Sequence, residues 1–255
     1  MDDFTVRIYR HIQEAAQRIS HEESDSEATL LQHLLAENRL TFKEVLTFTS
    51  DFNLAGVDTT SGATTYLLFH LARNPMAQKK ARHEALTLLG DASTSVEQQQ
   101  PDKLPYLKAC LKESLRLNPR VPGIYRKMDH DVVMSGHVVP AGVPMLVDMY
   151  VAGHIEENFG SPEHFLPERW LRVDQATLHH DGYASQPFSF GPRVCLGRRM
   201  AQLQILLLVA KILLKYEVQC DKEDIDFHGR LINVPKHPVN MRFKKLPFEK
   251  NPEAL

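Results

Sequence analysis

The stretch Phe188-Ser189-Phe190-Gly191-Pro192-Arg193-Val194-Cys195-Leu196-Gly197-Arg198-Arg199 sets one cysteine in a glycine-containing turn, just ahead of the apolar run Met200 to Leu214. That run reads as a helix. A thiol at a helix N-terminus meets unpaired N–H groups and the positive end of the dipole, which favour thiolate. Gly191 and Gly197 carry no side chains, so a flat ligand can approach the backbone closely. Arg193 stands two residues from the cysteine and suits an anion on that ligand. A lone cysteine is more often a small buried hydrophobe, and Cys195 by itself favours that reading. The complete F-x-x-G-x-R-x-C-x-G spacing is far more specific.

The chemistry indicated is a thiolate ligand to a planar metal cofactor bearing carboxylates, namely haem. The spacing resembles the haem-binding loop of the cytochrome P450 family, with Cys195 at the axial thiolate. The resemblance implies haem b (iron protoporphyrin IX), with Cys195 as metal ligand and Phe188, Gly191, Arg193 and Gly197 as cofactor-binding neighbours.

The rest of the chain bounds this reading. Its 255 residues are 43% hydrophobic and 24% charged, an ordinary globular balance with ample material for a core. A formal net charge of −2 and the lack of a basic tract argue against nucleic acid as a partner. Cys110, Cys195 and Cys220 form no C-x-x-C pair, which points to a reducing compartment or buried thiols. The thirteen histidines include no H-E-x-x-H pattern. The most apolar run, Leu203 to Leu214, is shorter than the ~20 residues that cross a bilayer. Met1-Asp2-Asp3 is acidic where a signal or transit peptide would be basic, so no address is readable.

Taken in order, Phe4, Ile8, Ile12, Ala15, Ala16 and Ile19 fall at helical spacing, and Ala28 to Glu37 reads as a second short helix. His21 to Glu27 is an acidic break between them. Thr41-Phe42-Lys43-Glu44 is a capping box, with Leu40 and Val45 placed as a staple. It opens a helix that runs to Arg73, where Asn74-Pro75 stops it and caps the next. The middle, Ala55-Gly56-Val57-Asp58-Thr59-Thr60-Ser61-Gly62, is poor in helix formers and predicts a bend or groove, or close packing of another helix on Gly56 and Gly62. Asp58-Thr59 pairs an acid with a hydroxyl, suited to holding water and relaying protons. Met76 to Leu89 is a helix ended by Gly90, and Ser93 to Gln100 a polar loop. Pro105 to Leu117 is a further helix, with Leu104, Leu107, Leu111 and Leu115 on one face and Glu113 and Arg116 on the other edge of the apolar arc. Val132 to Val139 reads as a hairpin about Ser135-Gly136-His137, Pro140-Ala141-Gly142 as a turn, and Met145 to Tyr150 as a strand or the start of a helix. The helix Met200 to Leu214 is apolar on most faces and is expected at the centre.

Three of these segments also resemble P450 motifs, in family order. Ala55 to Thr60 is similar to the long-helix motif, which implies that Asp58 and Thr59 are catalytic and deliver protons. Glu113-x-x-Arg116 is similar to the E-x-x-R motif. Phe165-Leu166-Pro167-Glu168-Arg169-Trp170 resembles the segment that supplies a third member, Arg169, although the family pattern usually ends in Phe. The resemblance assigns Glu113, Arg116 and Arg169 to locking the fold. Arg126 matches a second propionate-binding position. Val121 to Ile124 and Leu231 to Val234 match substrate-facing segments.

The chain is thus identified as mainly α with a smaller β region, a P450 fold over its C-terminal portion only, from helix G to the C-terminus. Residues 1–255 form one partial domain without the N-terminal half. Lys108-x-x-x-Lys112-Glu113 and the double arginine Arg198-Arg199 look like the mitochondrial type, although Gln202 and Gln204 stand where that type usually has glutamates. The resemblance implies a monooxygenase inserting one atom of O₂ into a lipophilic, sterol-like substrate. It implies electrons from an acidic [2Fe–2S] ferredoxin docking on Lys108, Lys112, Arg198 and Arg199. Peripheral membrane association on the matrix side of the mitochondrial inner membrane follows, with the endoplasmic reticulum as alternative. The rival functions are a reductase-independent isomerase or dehydratase and a non-catalytic short product.

Overall fold

The computed structural model describes residues 3–19, 29–36, 39–90, 103–171, 181–221, 224–228 and 231–247. The acidic break at His21 to Glu27 and the polar loop at Ser93 to Gln100 lie outside the described residues. The backbone groups into two units whose boundary, between Asp58 and Thr59, falls inside one helix.

The first unit contains α1 (Asp3–Ile19), α2 (Leu30–Ala36) and the start of α3 (Phe42–Arg73). The expected capping box forms at the head of α3. The Thr41 backbone N–H donates to Glu44 Oε2 at 2.7 Å, and the Glu44 N–H donates to Thr41 Oγ1 at 3.3 Å. Tyr9 meets Phe42 edge to face at 5.6 Å, and Ile12 and Val45 are fully buried.

The helix α3 is continuous over all 32 residues, including the stretch Ala55 to Gly62 that is poor in helix formers. Its many hydroxyls turn back onto the preceding turn. Thr47, Thr49, Thr64 and Thr65 each donate to the carbonyl four residues earlier, at 2.8–2.9 Å. Among the described residues, no second helix packs on the two glycines. A Cβ on Gly56 would meet nothing within 4 Å, whereas one on Gly62 would overlap the Arg120 side chain. Gly62 is needed because an arginine lies against the helix backbone there.

Asn74 ends α3 but does not cap its successor. Its Nδ2 donates to the His70 carbonyl at 2.8 Å, and no side-chain cap bond to α4 (Pro75–Leu89) forms. The next helix, α5 (Pro105–Leu117), is preceded by Leu104, which has no capping oxygen. Glu84 of α4 supplies one, accepting from the Tyr106 and Leu107 N–H groups at 2.8 and 2.9 Å. Burial raises the Glu84 carboxyl above its ordinary pKa, against the lowering effect of those two bonds.

The core of the second unit joins the end of α3 (Leu67, Leu68, Leu71), α4 (Ala77, Ala81, Ala85), the leucine face of α5 and α7 (Arg198–Lys215). Alanines spaced by four on α4 leave room for close helix approach. Only part of α7 is enclosed. Ile205, Leu206, Val209, Ala210 and Leu213 are buried against this core, while Met200, Leu203 and Leu208 are exposed. The helix thus lies in the core, as expected, and leaves part of its apolar surface exposed.

Among the described residues, four antiparallel strand pairs belong to the second unit. β1 (Gly123–Lys127) pairs with β4 (Pro144–Asp148), and β2 (Val132–Met134) with β3 (His137–Val139) across the two-residue turn Ser135-Gly136. The stretch read as strand or helix is both, since β4 leads straight into α6 (Met149–Gly153), capped by Asp148. β5 (Tyr216–Gln219) pairs with β8 (Arg242–Lys245), and β6 (Phe227–His228) with β7 (Val234–Pro235). No helix among the described residues is long and apolar enough to cross a membrane.

Candidate active site

The loop that carries Cys195 is fixed at both ends. Phe188 packs against the core, and its carbonyl accepts the Cys195 N–H at 2.8 Å. Between them Ser189 and Gly191 take positive φ values of 60° and 69°, and a 3₁₀ turn (Gly191–Arg193) follows. Gly191 suits that conformation, and a Cβ there would meet nothing within 4 Å. On the far side the Cys195 carbonyl accepts the Arg198 N–H at 3.2 Å, and α7 begins. Cys195 is exposed, unlike buried Cys110, so the reading of a small core thiol does not hold for it. Phe190, Val194 and Leu196 are exposed beside it. Gly197 precedes α7 at φ −79°, and Arg193 is exposed.

Arg126 comes to this loop from β1. Its Nη2 donates to Ser189 Oγ at 2.7 Å and its Nη1 to the Tyr125 carbonyl at 2.9 Å. It is thus not a freely solvated charge beside Lys127. The partner, Ser189, stood in plain view in the sequence, but its role did not.

The charge cluster predicted from three separate positions forms. Glu113, Arg116 and Arg169 are all essentially inaccessible. Glu113 Oε1 accepts from Arg116 Nη2 at 2.8 Å, Arg169 Nε at 3.1 Å and the Leu166 N–H at 3.0 Å. Its Oε2 accepts from Arg116 Nε at 3.0 Å and from the indole N–H of Trp170 at 2.8 Å. Arg116 also donates to the carbonyls of Gly153, Pro162 and His164. Both guanidiniums face the Phe159 ring, at 5.0 and 5.8 Å. Buried charges of this kind persist only when paired and fully hydrogen-bonded. Trp170, the departure from Phe in its motif, supplies a donor that Phe lacks.

Lys112 lies within electrostatic reach of Lys108 and Arg198, two of the other cations singled out for a partner. The Lys112 ammonium lies 5.3 Å from the Trp170 centroid. Its pKa is held below the ordinary lysine value, first by desolvation and then by Lys108 and Arg198. The Arg198 guanidinium lies over the Phe188 ring at 5.9 Å. Arg199 is exposed.

Asp58 and Thr59 are consecutive on α3, with Asp58 exposed and Thr59 half-buried. In the two segments expected to face a substrate, Val121 and Leu231 are exposed. Two groups, buried His70 and half-buried Arg120, escaped the sequence reading. His70 is stacked on Phe165 at 4.9 Å, and its Nε2 is bonded to Asn118 Oδ1 at 2.5 Å. Arg120 joins the Tyr66 hydroxyl and the Asn233 carbonyl. Asn233 in turn donates its N–H to the Arg120 carbonyl at 2.8 Å and its Nδ2 to the Pro119 carbonyl at 2.9 Å.

Comparison with known proteins bears on this arrangement. A family model described as Cytochrome P450 matches residues 1–243. A Drosophila melanogaster protein named "Probable cytochrome P450 12b2, mitochondrial" is 34% identical over 255 residues, covering 96% of this chain and 47% of its own. The mitochondrial 1,25-dihydroxyvitamin D(3) 24-hydroxylase of Rattus norvegicus is 34% identical over 218 residues, covering 85% of this chain and 42% of its own. Cytochrome P450 302a1, mitochondrial, of Drosophila melanogaster is 36% identical over 216 residues, covering 83% and 43%. The chain spans about half the length of the curated relatives it matches.

Proposed function

Because the chain belongs to the cytochrome P450 family, we propose that it contributes the thiolate side of a haem monooxygenase that inserts one atom of O₂ into a lipophilic substrate. The observation that carries this reading is the exposed Cys195 thiol, on a loop tied to the core through Phe188 and reached by Arg126 through Ser189.

The residues fit the group. A planar iron macrocycle with carboxylate arms asks for a soft sulfur donor, apolar surface beside it and cations at its edge. Cys195 is the donor, Phe190, Val194 and Leu196 offer exposed apolar surface, and Arg126 and Arg193 are the cations. Cys195 Sγ would hold the iron of haem b, while Arg126 and Arg193 would hold its propionates. Bound there, the cofactor supplies a redox iron whose thiolate ligand favours O–O cleavage. The chain's own residues do the rest: Asp58 accepts and passes protons through its carboxylate, and Thr59 orders water at Oγ1.

The finer assignments rest on the relatives. Their mitochondrial names support the same compartment here, and the vitamin D hydroxylase supports a sterol-like substrate lying against Val121 to Ile124 and Leu231 to Val234. The clustered cations Lys108, Lys112 and Arg198, with Arg199, suit an acidic [2Fe–2S] ferredoxin as electron donor.

A reduced carbon-monoxide difference spectrum tests the proposal. The haem-loaded protein is expected to give a thiolate-type Soret band that Cys195→Ala abolishes. A band unchanged by Cys195→Ala would refute it. Turnover that requires added ferredoxin supports the electron donor, and turnover without any donor would favour an isomerase.

A further inference from the structure

The single tryptophan of the sequence stands between a buried carboxylate and a surface ammonium. The edge of the Trp170 ring is anchored inward, its N–H donating to Glu113 Oε2 at 2.8 Å. Glu113 is itself immobilised by Arg116 and Arg169. The Trp170 ring carries the Lys112 ammonium 5.3 Å from its centroid. Lysine otherwise places its charge loosely, on a long flexible stem. An indole is the strongest aromatic seat for such a charge, and a bond from its N–H to a carboxylate polarises the ring further towards a cation.

We infer that Trp170 is a positioning residue for the cationic docking face: it seats Lys112 at a fixed point beside Lys108 and Arg198, with Glu113 fixing the indole. This rests on the ferredoxin reading above and adds how that face is given a defined geometry. A preorganised charge loses less freedom when an acidic partner docks, so affinity depends on the seat as well as on the charge. Phenylalanine at position 170 keeps a ring but loses both the N–H anchor and the stronger ring field.

The test uses the haem-loaded protein and a recombinant mitochondrial-type [2Fe–2S] ferredoxin at low salt. Trp170→Phe is expected to raise the ferredoxin Kd by about two- to fivefold, and to raise it no further in a Lys112→Gln background. Acetylation of Lys112 relative to Lys108, read by mass spectrometry without ferredoxin, is expected to rise in Trp170→Phe. 5-Fluorotryptophan, which keeps the shape and the N–H but weakens the ring's negative face, is expected to shift both readouts in the same direction without disturbing the fold. An unchanged acetylation ratio in both proteins overturns the inference. So does an equal Kd change in the Lys112 and Lys112→Gln backgrounds. If Lys112→Gln leaves the Kd unaltered, the ferredoxin reading falls and the inference with it. If Lys112→Gln weakens binding but Trp170 is uncoupled from it, the inference alone is refuted.

Discussion

Replacing Glu113 with glutamine keeps the shape of the side chain and removes its charge, and the cost follows from the five hydrogen bonds its carboxylate accepts. One amide oxygen can replace only one carboxylate oxygen. If the amide nitrogen takes the Oε2 place, it faces Arg116 Nε and the Trp170 N–H, donor against donor. If it takes the Oε1 place, it faces Arg116 Nη2, Arg169 Nε and the Leu166 N–H. The better choice still loses two bonds, and both buried guanidiniums lose the anion they share. Breaking a buried ion pair from one side costs about 3–5 kcal/mol, a large part of the ~5–15 kcal/mol that holds a typical domain. Urea unfolding followed by circular dichroism is expected to show a loss of that size. Asp226→Asn is the comparison, since the Lys236–Asp226 pair is solvent-exposed and screened, and its loss is expected to matter far less. A Glu113→Gln midpoint shift no larger than that of Asp226→Asn would refute the reasoning.

Gly62→Ala gains roughly 1 kcal/mol of helix propensity but drives a methyl into the Arg120 side chain. Its melting temperature is expected to change little, while hydrogen exchange at the Asn233 amide, bonded to the Arg120 carbonyl, speeds up. His70 predicts acid sensitivity. Burial is the main cause that pulls its pKa from 6.5 to about 4, so the native state holds it neutral. A lowered pKa on a base gives stability that is fully present above pH ~6.5 and lost as pH falls towards 4, about 3 kcal/mol in all. Urea midpoints measured from pH 7 to 4 are expected to flatten in His70→Gln.

Legibility divided by range. The ends of α3, α4 and α5 were readable from Thr41-x-x-Glu44, Asn74-Pro75, Gly90 and Pro105, because each signal acts within a turn of the residue that carries it. The prediction failed where a local signal had more than one use. Asn74 was expected to cap forward and bonds backward. The weak helix formers around Asp58 were expected to mark a bend or groove, yet α3 is helical through them. Glu84, with no capping signature, caps α5 from another helix.

The sequence by itself determined the order of the helices, the hairpin at Ser135-Gly136, the loop before α7 and the charged trio of Glu113, Arg116 and Arg169. Residue type, spacing and motif order carry those. Only the tertiary structure decided that Arg126 reaches Ser189, that Arg120 fills the space above Gly62, that Trp170 joins Glu113 to Lys112, and that α7 buries only part of its apolar surface. Those partners are brought together by packing across tens of residues, and no local periodicity records which distant side chain will arrive.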